Sequence, residues 1–327
     1  MQIEILDEAA RLYGTRAAQL RPLSGGNFNQ VFEFFCGEGV CILRLAPPDG
    51  GMDASSLQAV QEWMQYLAAH GGPAPEPVLS CRGRLVERAG AQGEVLATAA
   101  RKAGGVLGER LPFERWNETL FRALGRAVGK LHALAKDYRP AVGAPLRPYW
   151  EAASNCFNPD PTPDPSLAPV WALRRRVLEE LHCLPRERDS FGLIHADLHG
   201  GNFLVDEASG AITVIDFDDC AYGWFGMDIA MSLLDMLVLY PGADREAFAA
   251  RFLRPYLAGY RSENPLSAFW VQQTPLFLKL LELGLYLMVY EAYKPGERDS
   301  WIGKFMHGRR ERIEAGLPFV ELDFTAF

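Results

Sequence analysis

The chain has 327 residues, 49% of them hydrophobic and 23% charged, which suits a protein with an ample core and excludes a disordered or low-complexity chain. A net charge of −8, with no long lysine or arginine run, argues against a surface for nucleic acid or anionic membranes. The acidic start lacks a signal-peptide core, the most apolar segment (229–240) is short and contains Asp235, and the six cysteines show no Cys-x-x-Cys or metal spacing, so a cytoplasmic, reducing setting is expected.

After an N-terminal helix, Pro22-Leu23-Ser24-Gly25-Gly26-Asn27-Phe28-Asn29 precedes a strand over 31–35, and a second strand over 40–45 follows the Gly37-Glu38-Gly39 turn. Glycines joining two strands let backbone N–H groups approach phosphate oxygens closely, although Gly-Gly-Asn alone is also an ordinary turn. Leu57, Val60, Met64 and Leu67 recur at helical spacing. Residues 83–88 and 94–101 read as further strands, and Ala103-Gly104-Gly105 as a hinge. This divides the chain into a lobe over 1–102 and a larger lobe over 103–327.

In the larger lobe, 118–138 reads as a helix whose apolar face is Leu120, Leu124, Val128, Leu131 and Leu134. His132 on that helix is expected to be packed and hydrogen-bonded rather than catalytic. Prolines should hold 158–165 extended. Asp228 is expected to cap a helix over 229–239. A helix over 276–293 carries Glu282, Tyr286, Tyr290 and Glu291, a combination suited either to a core or to a wall for a cationic amine.

The chemistry concentrates in His195-Ala196-Asp197-Leu198-His199-Gly200-Gly201-Asn202 and in Ile215-Asp216-Phe217-Asp218. Short runs over 191–194, 202–205 and 211–215 read as strands that place two carboxylates and a carboxamide at their ends and on the loops between them. Phosphoryl transfer needs such a set: one carboxylate to accept the acceptor's hydroxyl proton, and an Asn and a second Asp to hold Mg²⁺. Either motif alone could be a turn; both, in this order and spacing, point to the H-x-D-L-x-x-x-N and D-F-x signatures of kinases.

These motifs resemble the aminoglycoside phosphotransferase and choline kinase superfamily, in its bacterial branch with homoserine-kinase-like and spore-coat-kinase-like members. Ala196, His199 and Asp218 stand where eukaryotic-type protein kinases carry Arg, Lys and Gly, and no Ala-Pro-Glu triplet follows. The resemblance implies an α+β, two-lobed protein-kinase-like fold, with a small antiparallel sheet lobe and a mainly helical one. It implies ATP and Mg²⁺ as cofactors and a small, amine-bearing hydroxyl compound as acceptor. Asp197 would be catalytic, Asn202 and Asp216 the metal ligands, and Gly25, Gly26, Asn29 and Arg44 the nucleotide contacts. Arg44 takes the place of the usual lysine and can grip phosphate bidentately without losing its proton. The glutamate that pairs with this cation in the family falls, by count, on Val60. Either the register slips, another acid orients Arg44, or the ion pair is absent. Two rival readings follow: a stress-response-type Ser/Thr protein kinase, and a pseudokinase acting as a nucleotide-binding or structural module.

Overall fold

The computed structural model describes residues 2–23, 29–37, 39–47, 52–91, 93–152, 157–159, 164–294 and 299–327. They form two compact units. The first comprises Met1–Gly105, Tyr138–Arg147 and Thr213–Asp218; the second comprises Val106–Asp137, Pro148–Ile212 and Asp219–Phe327. Two later segments, 138–147 and 213–218, thus group with the first hundred residues.

The first unit contains α1 (Ile3–Leu12), β1 (Arg21–Leu23), β2 (Gln30–Cys36), β3 (Gly39–Ala46), α2 (Ala54–Ala69), β4 (Pro77–Val78), β5 (Glu87–Ala89) and β6 (Val95–Arg101). Its strands form one antiparallel sheet in the order β1-β2-β3-β6-β4, with β5 also on β6. Period-2 alternation turns Phe32, Phe34, Cys41, Leu43 and Leu45 into a core with Ala9 and Leu12 of α1 and with Tyr13 just after it. Arg44, one step out of phase, leaves on the other sheet face, paired with Val31 and Thr98 in register. Helix α2 begins at Asp53, whose carboxylate accepts the Ser56 N–H at 2.7 Å. It buries Leu57, Val60, Met64 and Leu67, the stripe seen in the sequence. The strand expected over 83–88 is confined to 87–89, because the Ser80 hydroxyl takes the N–H groups of Arg82 and Arg84 and bends the chain into a turn.

The second unit contains β7 (Val106–Leu107), α3 (Glu118–Ala135), α4 (Ala168–His182), β8 (Phe191–Ile194) and β9 (Phe203–Val205). After β10 (Ile212–Val214) come β11 (Ala221–Trp224), α5 (Phe225–Leu239), α6 (Arg245–Arg261), α7 (Ala268–Gln272), α8 (Thr274–Val289), α9 (Trp301–Met306) and α10 (Arg309–Glu314). Strands β8 and β11 pair antiparallel, as do β7 and β9. Helix α5 is buried from Phe225 to Val238 and is the axis of this unit. Helices α3 and α6 cross so closely that a Cβ at Gly125 would lie 1.9 Å from the Tyr256 carbonyl oxygen. Among the described residues no helix is long and apolar enough to cross a membrane.

Candidate active site

In the second unit β8 runs straight into the loop His195–Asn202, and the loop's shape is set from below by α5. Ala196 adopts φ 68°, a left-handed conformation that costs a non-glycine residue about 1–2 kcal/mol. Asp228 offsets that cost. Its two carboxylate oxygens accept the N–H groups of His195 and Ala196, each at 2.8 Å. His132 Nε2 meets the same carboxylate at 3.0 Å, and His132 Nδ1 lies 2.9 Å from the Tyr260 hydroxyl. Asn264 donates to that hydroxyl at 2.8 Å, so Tyr260 donates to Nδ1 and the ring's proton sits on Nε2. Burial holds the His132 pKa below the ordinary histidine range against the pull of Asp228. For Asp228 burial pushes upward, but the His132 bond and the loop N–H groups win and keep it ionised. The expectation for His132 therefore holds. Asp228, in contrast, is no cap: α5 begins three residues before it, and its carboxylate is spent on the loop.

Asp197 and Asn202 meet directly. Asn202 Nδ2 donates to the Asp197 backbone oxygen and to Asp197 Oδ2, both at 2.9 Å. With the nitrogen so committed, Oδ1 is the carboxamide atom that can ligate a hard cation, which suits Mg²⁺. His199 Nε2 lies 3.4 Å from Asp197 Oδ2. Burial lowers the His199 pKa, but Asp197, Asp235 and Glu109 outweigh it and push the pKa up to about 9. Gly201 N–H points at Nδ1 from 3.0 Å, a contact only the neutral ring can accept, so protonation would open it. Farther along the loop, Gly200 N–H donates to Asp235 Oδ2 at 2.7 Å, and the Trp301 indole N–H donates to Oδ1 at 2.9 Å.

In the first unit Arg44 is clasped by Asp218, both guanidinium nitrogens Nη1 and Nη2 reaching its carboxylate. Asn29, with its carboxamide oxygen turned toward the guanidinium, accepts from Nε at 3.0 Å. Burial works against the Arg44 charge, but the Asp218 bonds, together with the charges of Asp218 and Asp216, raise its pKa. Asp216 adopts φ 60°, a second left-handed non-glycine residue at a motif carboxylate. Of the three possibilities opened by Val60, the second is realised: Val60 is a buried core residue and Asp218 orients Arg44. Arg147 adds to the site by donating to the Asp218 backbone oxygen at 2.5 Å. Gly25 and Gly26 lie outside the described residues, as does the middle of the proline-rich loop.

The acid-and-aromatic wall expected over 276–293 is split: α8 ends at Val289, Tyr290 is half-buried and Glu291 exposed beyond it, and the other two residues are core. Glu282 is fully buried and ion-paired with Arg309 (2.9 Å) and Lys279, and Tyr286 is buried. Cys220 is fully buried. Sequence reasoning missed Asp235 and Trp301, and did not connect Asp218 with Arg44. One signal was available: Asp228 and Asp235 are seven apart in an otherwise apolar helix, so both face the same side.

The model of the phosphotransferase enzyme family matches residues 19–266. Amicoumacin kinase of Bacillus subtilis (strain 168) is 32% identical over 327 residues, covering 99% of this chain and 95% of its own length. A homoserine kinase of Azorhizobium caulinodans is 30% identical over 237 residues, 68% of this chain and 65% of that one. A solved amicoumacin kinase, in complex with AMP-PNP, Ca²⁺ and Ami, matches with TM-score 0.86 and 29% identity over 97% of this chain and 94% of that chain. The α+β, kinase-like fold is thus shared with that enzyme.

Proposed function

Because this chain belongs to the phosphotransferase enzyme family, we propose that it transfers the γ-phosphate of ATP to a hydroxyl of a small, amine-bearing molecule, with Mg²⁺ as the metal. The observation that carries the reading is the Asp197–Asn202 pair, in which one side chain fixes the other at 2.9 Å. Asp197 Oδ2 is held by Asn202, which leaves Oδ1 to accept the acceptor's proton as its oxygen attacks phosphorus and the bond to the β-phosphate breaks. Asn202 and Asp216 are the metal ligands in this reading, and bound Mg²⁺ would neutralise charge developing on the phosphates. Arg44, oriented by Asp218 and Asn29, would hold the α- and β-phosphates, with Gly25 and Gly26 lending backbone N–H groups.

The amine preference rests on charge. Asp197, Asp235 and Glu109 together raise the His199 pKa, so the loop's surroundings favour a positively charged acceptor. A nucleotide-binding module without turnover loses its main support once Asp218 takes the place of the missing helix acid.

The test is Mg²⁺-dependent ADP release across aminoglycosides, amino alcohols, homoserine and hydroxylated sugars, with Asp197→Asn as the blank. An amine-bearing acceptor that raises release well above the blank supports the reading. A protein that binds MgATP yet is silent toward every small molecule, while phosphorylating a protein serine or threonine, would replace it with the protein-kinase alternative.

A further inference from the structure

Beneath the catalytic loop, α5 presents two carboxylates seven residues apart, about two helical turns, along one face. Asp228 takes the loop's first two N–H groups, and Asp235 takes the N–H of Gly200 at 2.7 Å. A buried carboxylate in an apolar helix is costly unless donors meet its oxygens. Asp235 is 2% exposed, and its second oxygen is met by the Trp301 indole at 2.9 Å. Trp301 opens α9, beyond the residues 19–266 that the family model matches. Its ring is held by stacking on Phe305, with centroids 5.2 Å apart and planes at 8°, and Ser300 caps the helix by accepting Gly303 N–H at 3.1 Å.

Gly200 is clamped on its other side as well. Its carbonyl accepts Glu109 N–H at 2.8 Å, and a Cβ there would come within 2.9 Å of that nitrogen, so the approach requires glycine. Two residues later stands Asn202, which fixes Asp197. A shift of the Gly200 peptide is therefore passed along a short hydrogen-bonded turn to the carboxamide and then to the base; Asn202 N–H itself closes that turn on the His199 carbonyl at 2.9 Å.

We propose that Asp235 is a positioning residue: by receiving Gly200 and Trp301 on its two oxygens, it fastens the C-terminal helix to the catalytic loop and sets the Asp197–Asn202 geometry. The proposal rests on the role assigned to Asp197 above. It extends the active site to a tryptophan whose distance in sequence gives no hint of the connection.

Trp301→Phe tests it by removing the indole N–H together with the five-membered ring that carries it, while keeping an aromatic ring to pack on Phe305. Asp235→Asn keeps size but sets an amide N–H₂ against one of the two donors, so one of the two bonds must go. Two measurements are made on the full-length protein: hydrogen–deuterium exchange of the segment 195–204, and steady-state kinetics with the best acceptor. The expected result is faster exchange in that segment for both variants and a fall in kcat of about tenfold or more, with the KM for ATP nearly unchanged. Thermal midpoints identify any general loss of fold, and Trp301→Phe is the variant that decides should Asp235→Asn fail to fold. Unchanged exchange in the loop overturns the proposal. So does faster exchange with an unaltered kcat, which would make the contact merely structural. If the wild-type protein turns over no acceptor, the transfer reading fails on its own account, and the exchange comparison alone decides whether Asp235 holds the loop.

Discussion

Replacing Asp218 by Asn tests how this chain manages without a helix glutamate. The substitution keeps the side chain's shape and leaves the Arg147 contact intact, because that bond goes to the Asp218 backbone oxygen. It removes the charge and one of two acceptors clasping Arg44. A hydrogen bond to a charged group contributes about 1.5–3 kcal/mol. With side-chain exposures of 20% and 23% for the two partners, water screens the pair in part, so the lower end, about 1.5 kcal/mol, applies. If Asp218 holds the guanidinium in place for phosphate, MgATP affinity falls about tenfold. Calorimetric titration of MgATP into the two proteins measures it without any acceptor. Unchanged or tighter binding would refute the reasoning, since it would mean that Asp218 competes with phosphate for Arg44 instead of presenting it.

Asp197→Asn should lower kcat by at least about 100-fold and leave the MgATP Kd within about twofold; lost nucleotide binding in a folded protein would count against Asp197 as the base. His132 is buried with its pKa lowered, so the unfolded chain takes up a proton that the folded one refuses as the pH falls below about 6.5. Stability should therefore be complete above neutrality and decline on acidification, by at most about 1.4 kcal/mol per pH unit from this group, and a flatter urea-midpoint profile is expected for His132→Gln. Gly125→Ala forces a Cβ to within 1.9 Å of the Tyr256 carbonyl oxygen and should cost about 1–3 kcal/mol in denaturant unfolding. A neutral result there would mean that α3 and α6 separate at little cost.

Much of the fold was legible because its elements carry strong periodic signals. Leu57, Val60, Met64 and Leu67 mark one face of α2, and the alternation through Phe32 and Phe34, then Cys41, Leu43 and Leu45, marks two strands. That Asp197 and Asn202 share one loop was legible from the motif's spacing, whereas the hydrogen bond that joins them was not. What stayed hidden depends on contacts distant in sequence. Arg44 and Asp218 are 174 positions apart, and Trp301 reaches Asp235 across 66. Glu282 misled because composition cannot reveal that Arg309 and Lys279 already neutralise it. Asp228 misled for the opposite reason: a carboxylate in the first turn of a helix looks like a local device until the loop it supports is seen.

The small unit draws on three separated stretches of chain, which bears on how it is made. Its sheet is fully encoded by residue 101, yet Arg44 must wait for Asp218 as its ion-pair partner, and the Pro73 carbonyl for the N–H of Val214. During synthesis the ribosome must add more than a hundred residues before these last contacts can form. Loop-closure entropy and late non-local contacts make that stage slow and exposed. A fragment ending at Gly105 would carry a partly buried guanidinium without its Asp218 partner. A transplantable version of the unit must include the short 213–218 segment, supplied by a linker or as a separate peptide.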